Sequence, residues 1–137
     1  MTTSDAAVAF AQSHRDQALS ELCEFLTIPS ISADPEYTLE VRRAAEWLKQ
    51  WIVSEGGDAE LIDTAGHPLV WGEFSATGTS GAGAPTGLIY GHYDVQPADP
   101  VELWDSDPFN SISREGRLYA RGASDMKAQL MATFAAV

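Results

Sequence analysis

Three side chains in this sequence have the types and spacing for metal or acid–base chemistry: His92, Asp94 and Asp125. His92 and Asp94 lie two residues apart in Gly91-His-Tyr-Asp-Val-Gln-Pro97. In an extended chain, side chains at i and i+2 leave the same face, so an imidazole and a carboxylate stand side by side. Asp125 sits in Ala120-Arg-Gly-Ala-Ser-Asp-Met-Lys127, ahead of an apolar stretch that reads as a helix. A turn and a helix N-terminus there can fix the direction of its carboxylate. Imidazole nitrogen with carboxylate oxygen suits zinc, and a carboxylate can bridge two ions. Asp94 is spaced to accept the N–H of the imidazole nitrogen that faces away from the metal, which fixes the tautomer. Taken singly, each residue has a plainer role: a hydrogen-bonded surface histidine, or a solvated turn aspartate. The two stretches together argue for one site. A Ser/His/Asp reading, with Ser124 or Ser80 as nucleophile, has the residue types but lacks a strained nucleophile turn.

The elements that position these groups follow from periodicity. Leu88-Ile89-Tyr90 reads as a buried strand that Pro97 ends, which puts His92 and Asp94 at the carboxyl end of a sheet, where α/β folds bind ligands. Leu19, Leu22, Cys23 and Leu26 fall on one face of a helix from about 5 to 27, stopped by Pro29. Val41, Ala44, Ala45, Leu48 and Ile52 mark a second helix over about 38–55, ended by Gly56-Gly57. The Ser-, Pro- and Asp-rich stretch 29–37 reads as a loop. Strands are expected at 59–62 and 69–74, with His67 at the surface beside their turn. Ser111 to Tyr119 forms a hairpin turning at Glu115-Gly116. The chain from about Met126 to Val137 is a strongly apolar helix that leaves Met131, Phe134 and Val137 exposed unless more chain or a second copy covers them. This alternation indicates an α/β fold, a mixed sheet flanked by helices.

Other motifs are weaker. Gly81-Ala-Gly83 superficially resembles a dinucleotide loop, but Gly87 falls one residue late and a strand follows where a helix is needed. Asp99, Glu102, Asp105 and Asp107 surround Trp104 without the spacing of a calcium loop. A solvated loop pinned by a buried Trp104 and Phe109 is the better reading.

Composition bounds the function further. With 20 acidic and 8 basic residues among 137, the formal net charge is −12, which argues against nucleic acid or an anionic membrane as partner. The lone cysteine, Cys23, cannot close an internal disulfide and reads as a buried, inert thiol. No signal peptide or spanning segment is legible, so a cytoplasmic setting is expected.

Gly91 to Pro97, Trp104, Asp107-Pro108-Phe109 and Leu118 to Lys127 together resemble a known family. It is the acetylornithine deacetylase, succinyl-diaminopimelate desuccinylase and carnosinase family of di-zinc peptidases and deacylases. The His-Tyr-Asp-Val-Gln-Pro form is nearest its dipeptidase branch. The resemblance covers the whole chain, since the two leading helices also suit the family's start. It implies a zinc-exopeptidase-like domain in which His92 binds one zinc, Asp125 bridges two, and Asp94 is a catalytic-site residue that orients His92. Cobalt or manganese could replace zinc. The implied activity is hydrolysis of a dipeptide or N-acyl amino acid, and a homodimer is open to the full-length form. Ala128 departs mildly from the glycine usual after the lysine.

The family's general-base Glu, its further acidic ligands and a late His lie downstream of the second motif. Here nothing acidic follows Asp125, the last Glu is Glu115, and no His follows His92. The resemblance therefore implies that residues 1–137 are the N-terminal portion of one incomplete catalytic domain, inactive alone. The competing reading is a non-catalytic binding domain of the same fold with one weakly held ion. A reading frame that continues with a Glu-Glu pair and a late His would separate the two.

Overall fold

A computed structural model describes residues 3–75 and 85–136. The Gly81-Ala-Gly83 segment, Ser80 and Val137 lie outside them. Helices α1 (Thr3–Ser13), α2 (Arg15–Leu26) and α3 (Thr38–Ser54) lead the chain. The hairpin β1 (Asp58–Ile62) and β2 (Leu69–Glu73) follows, then the hairpin β3 (Ile112–Arg114) and β4 (Arg117–Tyr119), and finally α4 (Ala128–Phe134).

The expected first helix is two helices. Ser13 Oγ donates to the Phe10 carbonyl at 2.9 Å, and His14 Nδ1 lies 2.9 Å from the same oxygen. Side chains that bond the backbone in this way compete with the helical ladder, and the break falls at His14. The buried face of α2 is Phe25 and Leu26; Leu22 and Cys23 are only half-buried. Cys23 is thus a free, partly accessible thiol, not the buried one expected.

Helix α3 forms as its periodicity requires. Asp34 accepts the Glu36 N–H at 2.9 Å, Pro35 begins a 3₁₀ turn, and Val41, Ala44, Ala45, Leu48, Trp51 and Ile52 make one buried face. That face packs on β1 and β2, which pair antiparallel from Asp58 opposite Glu73 to Ile62 opposite Leu69. Phe25, Ile28, Leu130 and Met131 close the same core. Burying a side chain such as Leu48 or Ile52 contributes about 1.5–3 kcal/mol. The second hairpin turns at Glu115 and Gly116, which both take positive φ, 51° and 74°, as a two-residue type I′ turn demands.

Further expectations fail. Leu88-Ile89-Tyr90 is neither a strand nor buried: Leu88 is 82% and Tyr90 86% exposed. A strand needs a neighbour for its backbone groups. Among the described residues β1 pairs with β2 and β3 with β4, and the bridge nearest this segment, a parallel one between Ile31 and Val95, falls beyond Tyr90. The α/β class therefore holds with its strands in two antiparallel pairs and one parallel bridge. Secondly, Met131 is buried and Phe134 is half-buried against Trp51, with ring centroids 6.2 Å apart. Helix α4 docks on α2 and covers the face that was expected to be bare. Trp104 and Phe109 are half-buried, and Trp104 pins its loop by donating Nε1–H to the Ala98 carbonyl at 2.8 Å.

Candidate metal centre

His92 lies on the extended segment between Gly91 and Val95. That segment is held by Val95 N–H donating to Ser30 O at 2.9 Å and by Ser30 Oγ donating to Tyr93 O at 2.7 Å. The i, i+2 geometry needs no sheet. His92 Nδ1 is 3.1 Å from Asp94 Oδ1 and 3.2 Å from the Asp94 carbonyl. Both partners are acceptors, so the proton belongs on Nδ1.

His92 Nε2 faces Asp125 Oδ1 at 3.1 Å. Nε2 then presents a lone pair to a carboxylate, and two acceptors at that distance require a proton or a cation between them. Two donors that each sit about 2.0–2.2 Å from one zinc ion can have such a separation. Asp125 is largely exposed and His92 less so, with side chains 77% and 40% accessible. Among the described residues no group of three or more His, Cys, Asp or Glu side chains converges to hold an ion. The pair is therefore an open partial site whose donor types fit zinc.

Asp125 and Met126 depart from helical geometry, at φ −150°, ψ 95° and φ −131°, ψ 30°, in the turn Ala123–Lys127 that leads into α4. The peptide between them is cis. Two glycines let this turn meet the His92 segment. Gly122 takes φ +81°, and a Cβ there would lie 2.5 Å from Val95 Cγ1. A Cβ on Gly91 would lie 2.5 Å from Leu130 Cδ1.

Several contributing residues carried no clear signal in the sequence. Ser32 Oγ donates to Asp94 Oδ2, so both carboxylate oxygens are held. The 62 residues between Ser32 and Asp94 conceal that contact. His67, expected at the surface, is half-buried and reaches the Ser32 carbonyl with Nε2 at 3.1 Å. Tyr93 O–H donates to Pro68 O, and burial together with the Asp94 charge pushes its pKa up to about 12.

Met126 Sδ accepts the His92 N–H at 3.4 Å. Lys127 is fully buried, and its Nζ donates to Phe25 O at 2.9 Å and Ile28 O at 2.8 Å. It also lies 4.5 Å from the Phe25 ring centroid. Burial, helped by Arg43, lowers its pKa to about 7 against an opposing pull from Asp94. Lys127 thereby ties the Asp125 turn to the end of α2. A lysine beginning an apolar helix was the one available hint of this role. Ser124 is exposed and joins no histidine, so no nucleophilic triad forms among the described residues.

The α/β scaffold thus carries an imidazole–carboxylate pair, His92 and Asp125, with the imidazole backed by the Asp94 carboxylate, donor types that suit a divalent ion. Residues 88–137 match the profile described as Peptidase family M20/M25/M40. Over that span the chain is similar to that family. It is 47% identical over 118 residues to a succinyl-diaminopimelate desuccinylase of Acidovorax ebreus (strain TPSY), covering 82% of this chain and 30% of that protein. It is 30% identical over 134 residues to the Cys-Gly metallodipeptidase dug1 of Schizosaccharomyces pombe, covering 90% of this chain and 27% of that protein. The crystal structure of an M20 family metallo-carboxypeptidase, Sso-CP2 from Sulfolobus solfataricus, superposes with a TM-score of 0.75 at 42% identity, over 85% of this chain and 25% of that one. The chain thus spans less than a third of the length of each. No helix among the described residues is long and apolar enough to cross a membrane.

Proposed function

We propose that this chain supplies part of the metal centre of a hydrolase that cleaves the amide bond of dipeptides or N-acyl amino acids. The observation that carries the reading is the His92 ring, with Nδ1 committed to Asp94 and Nε2 turned to Asp125 at 3.1 Å. His92 and Asp125 would hold a divalent ion, zinc by donor type, with cobalt or manganese as substitutes; in a two-ion form Asp125 would bridge both. When bound, such an ion lowers the pKa of a water to about 7 and polarises a carbonyl. The chain's own residues do the positioning. Asp94 keeps the proton on Nδ1 and leaves Nε2 free to bind. Ser32 stops the Asp94 carboxylate from rotating away. Lys127 holds the turn that carries Asp125.

The relatives' names, a desuccinylase and a dipeptidase, support a small amide substrate with a free acid group. The single unpaired cysteine suits a cytoplasmic setting. A positioned general base contributes about 10²–10⁴-fold, and no described residue faces the His92–Asp125 pair in that role. The 137 residues alone are therefore expected to bind an ion weakly and to give no turnover.

The test is a polypeptide that carries these residues at the length of the relatives, loaded with zinc and assayed on dipeptides and N-succinyl amino acids. The expected result is hydrolysis that His92→Ala abolishes, and none from the 137 residues alone. Hydrolysis that His92→Ala leaves intact would overturn the reading.

A further inference from the structure

Asp94 aims the His92 ring, and its own aim is set from outside the motif that carries it. Ser32 Oγ donates to Asp94 Oδ2, while Asp94 Oδ1 lies 3.1 Å from His92 Nδ1. A serine hydroxyl turns to whatever acceptor is in reach, so what it bonds depends on where the Ser32 backbone is held. The Ser32 carbonyl meets His67 Nε2 at 3.1 Å. A carbonyl only accepts, so Nε2 carries the proton and donates.

His67 belongs to the turn between β1 and β2, residues 63–68. Residues 63–66 are exposed, whereas His67 and Pro68 are half-buried. These two half-buried residues make the long-range contacts. His67 holds Ser32, and the Pro68 carbonyl accepts the Tyr93 O–H. Tyr93 stands between His92 and Asp94, and its ring packs against the core. In an extended segment it leaves the opposite face from both of them. The turn is braced from within, because Thr64 Oγ1 donates to the His67 carbonyl at 2.7 Å and accepts the Gly66 N–H at 3.0 Å. The hairpin itself needs neither long-range contact, since its ladder already closes with Ile62 opposite Leu69. One short turn therefore grips Asp94 twice, through the neighbouring Tyr93 and through the hydroxyl on its carboxylate.

We propose that the β1–β2 turn positions the metal pair, with His67 as the positioning residue. By holding the Ser32 carbonyl, His67 keeps the Ser32 hydroxyl on Asp94, and through Asp94 it sets the ring that offers His92 Nε2 to an ion. Its effect on ion binding rests on the metal-centre reading, whereas its effect on the His92 ring needs no ion.

The experiment uses the 137-residue chain with and without zinc. With chelator present and at one fixed pH, proton–nitrogen NMR spectra of the imidazoles follow the His92 Nδ1 resonance, assigned by its loss in His92→Ala. That resonance reports the hydrogen bond to Asp94. Zinc affinity is read separately, by competition with a chromogenic chelator. His67→Ala is expected to shift the resonance in the same direction as Ser32→Ala. It should also weaken zinc binding by roughly 2–10-fold, the range of one neutral hydrogen bond. His67→Gln, whose amide still donates to the Ser32 carbonyl, should restore both. Since His67 acts through Ser32, His67→Ala should cost less than about 2-fold more in a Ser32→Ala chain. Thr64→Ala loosens the turn from its exposed side with the His67 side chain in place, and should move the same resonance even if His67→Ala does not fold. A resonance unmoved by His67→Ala and by Thr64→Ala, whatever their melting temperatures, would reduce His67 to a brace of the hairpin and overturn the proposal. An undiminished effect of His67→Ala in the Ser32→Ala chain would overturn it too. If the parent binds no zinc, the metal reading fails, and the metal-free spectra alone decide the role of His67.

Discussion

Substituting Asp94 measures how far the imidazole is prepared before any ion arrives. Asp94→Asn keeps the shape of the side chain. Its carbonyl can still accept the His92 Nδ1–H, now 3.1 Å from Oδ1, and the Ser32 hydroxyl can reverse to accept from the new amide. The Asp94 backbone carbonyl, 3.2 Å from Nδ1, stays in place and keeps the tautomer. What disappears is the negative charge that makes the imidazole a better donor to a cation. Loss of an outer carboxylate of this kind costs about 10–100-fold in metal affinity, and the surviving backbone acceptor places Asp94→Asn near the lower end. Asp94→Ala removes the side-chain acceptor altogether and strands the Ser32 hydroxyl, so it belongs near the upper end. Competition against a chromogenic zinc chelator would read both values, with circular dichroism to confirm folding. Zinc binding by Asp94→Ala as tight as by the parent would refute the reasoning.

Ser32→Ala should weaken zinc binding by a few-fold, the value of one neutral donor at about 0.5–1.5 kcal/mol, and should barely move the unfolding midpoint; a null effect in the same competition assay would detach Ser32 from the site. Lys127→Met should destabilise the fold by about 1–3 kcal/mol in urea, because two carbonyls lose their buried donor. The pH dependence has a definite sign. Lys127 titrates at 10.5 when unfolded and near 7 when folded, so between those values the unfolded chain binds more protons and stability rises with pH. Lys127→Met should flatten that rise in denaturation curves taken from pH 7 to pH 10. Gly122→Ala forces a side chain into φ +81° and against Val95, and should cost about 1–3 kcal/mol and weaken zinc binding, read by thermal melting and the chelator assay.

Local signals were legible where a contact lies close in sequence. The α3 face from Val41 to Ile52, the β1–β2 pair and the Glu115-Gly116 turn follow from period and turn chemistry alone. The two-residue spacing of His92 and Asp94 likewise foretold their contact. Leu88-Ile89-Tyr90 misled because apolar content marks a strand only if a neighbour offers a ladder, and sequence alone does not reveal the neighbour. Met131 misled for the converse reason, since the face that covers it belongs to α2, a hundred residues earlier. Ser32, His67 and Lys127 act across gaps that no periodicity records.

His92 and Asp125 are proposed to bind one divalent ion between them. That binding is tested most directly by titrating zinc into the 137-residue chain and into His92→Ala and Asp125→Ala, each in competition with a chelator. One weakly bound ion is expected in the parent and none in either variant. Binding that survives both substitutions would contradict it.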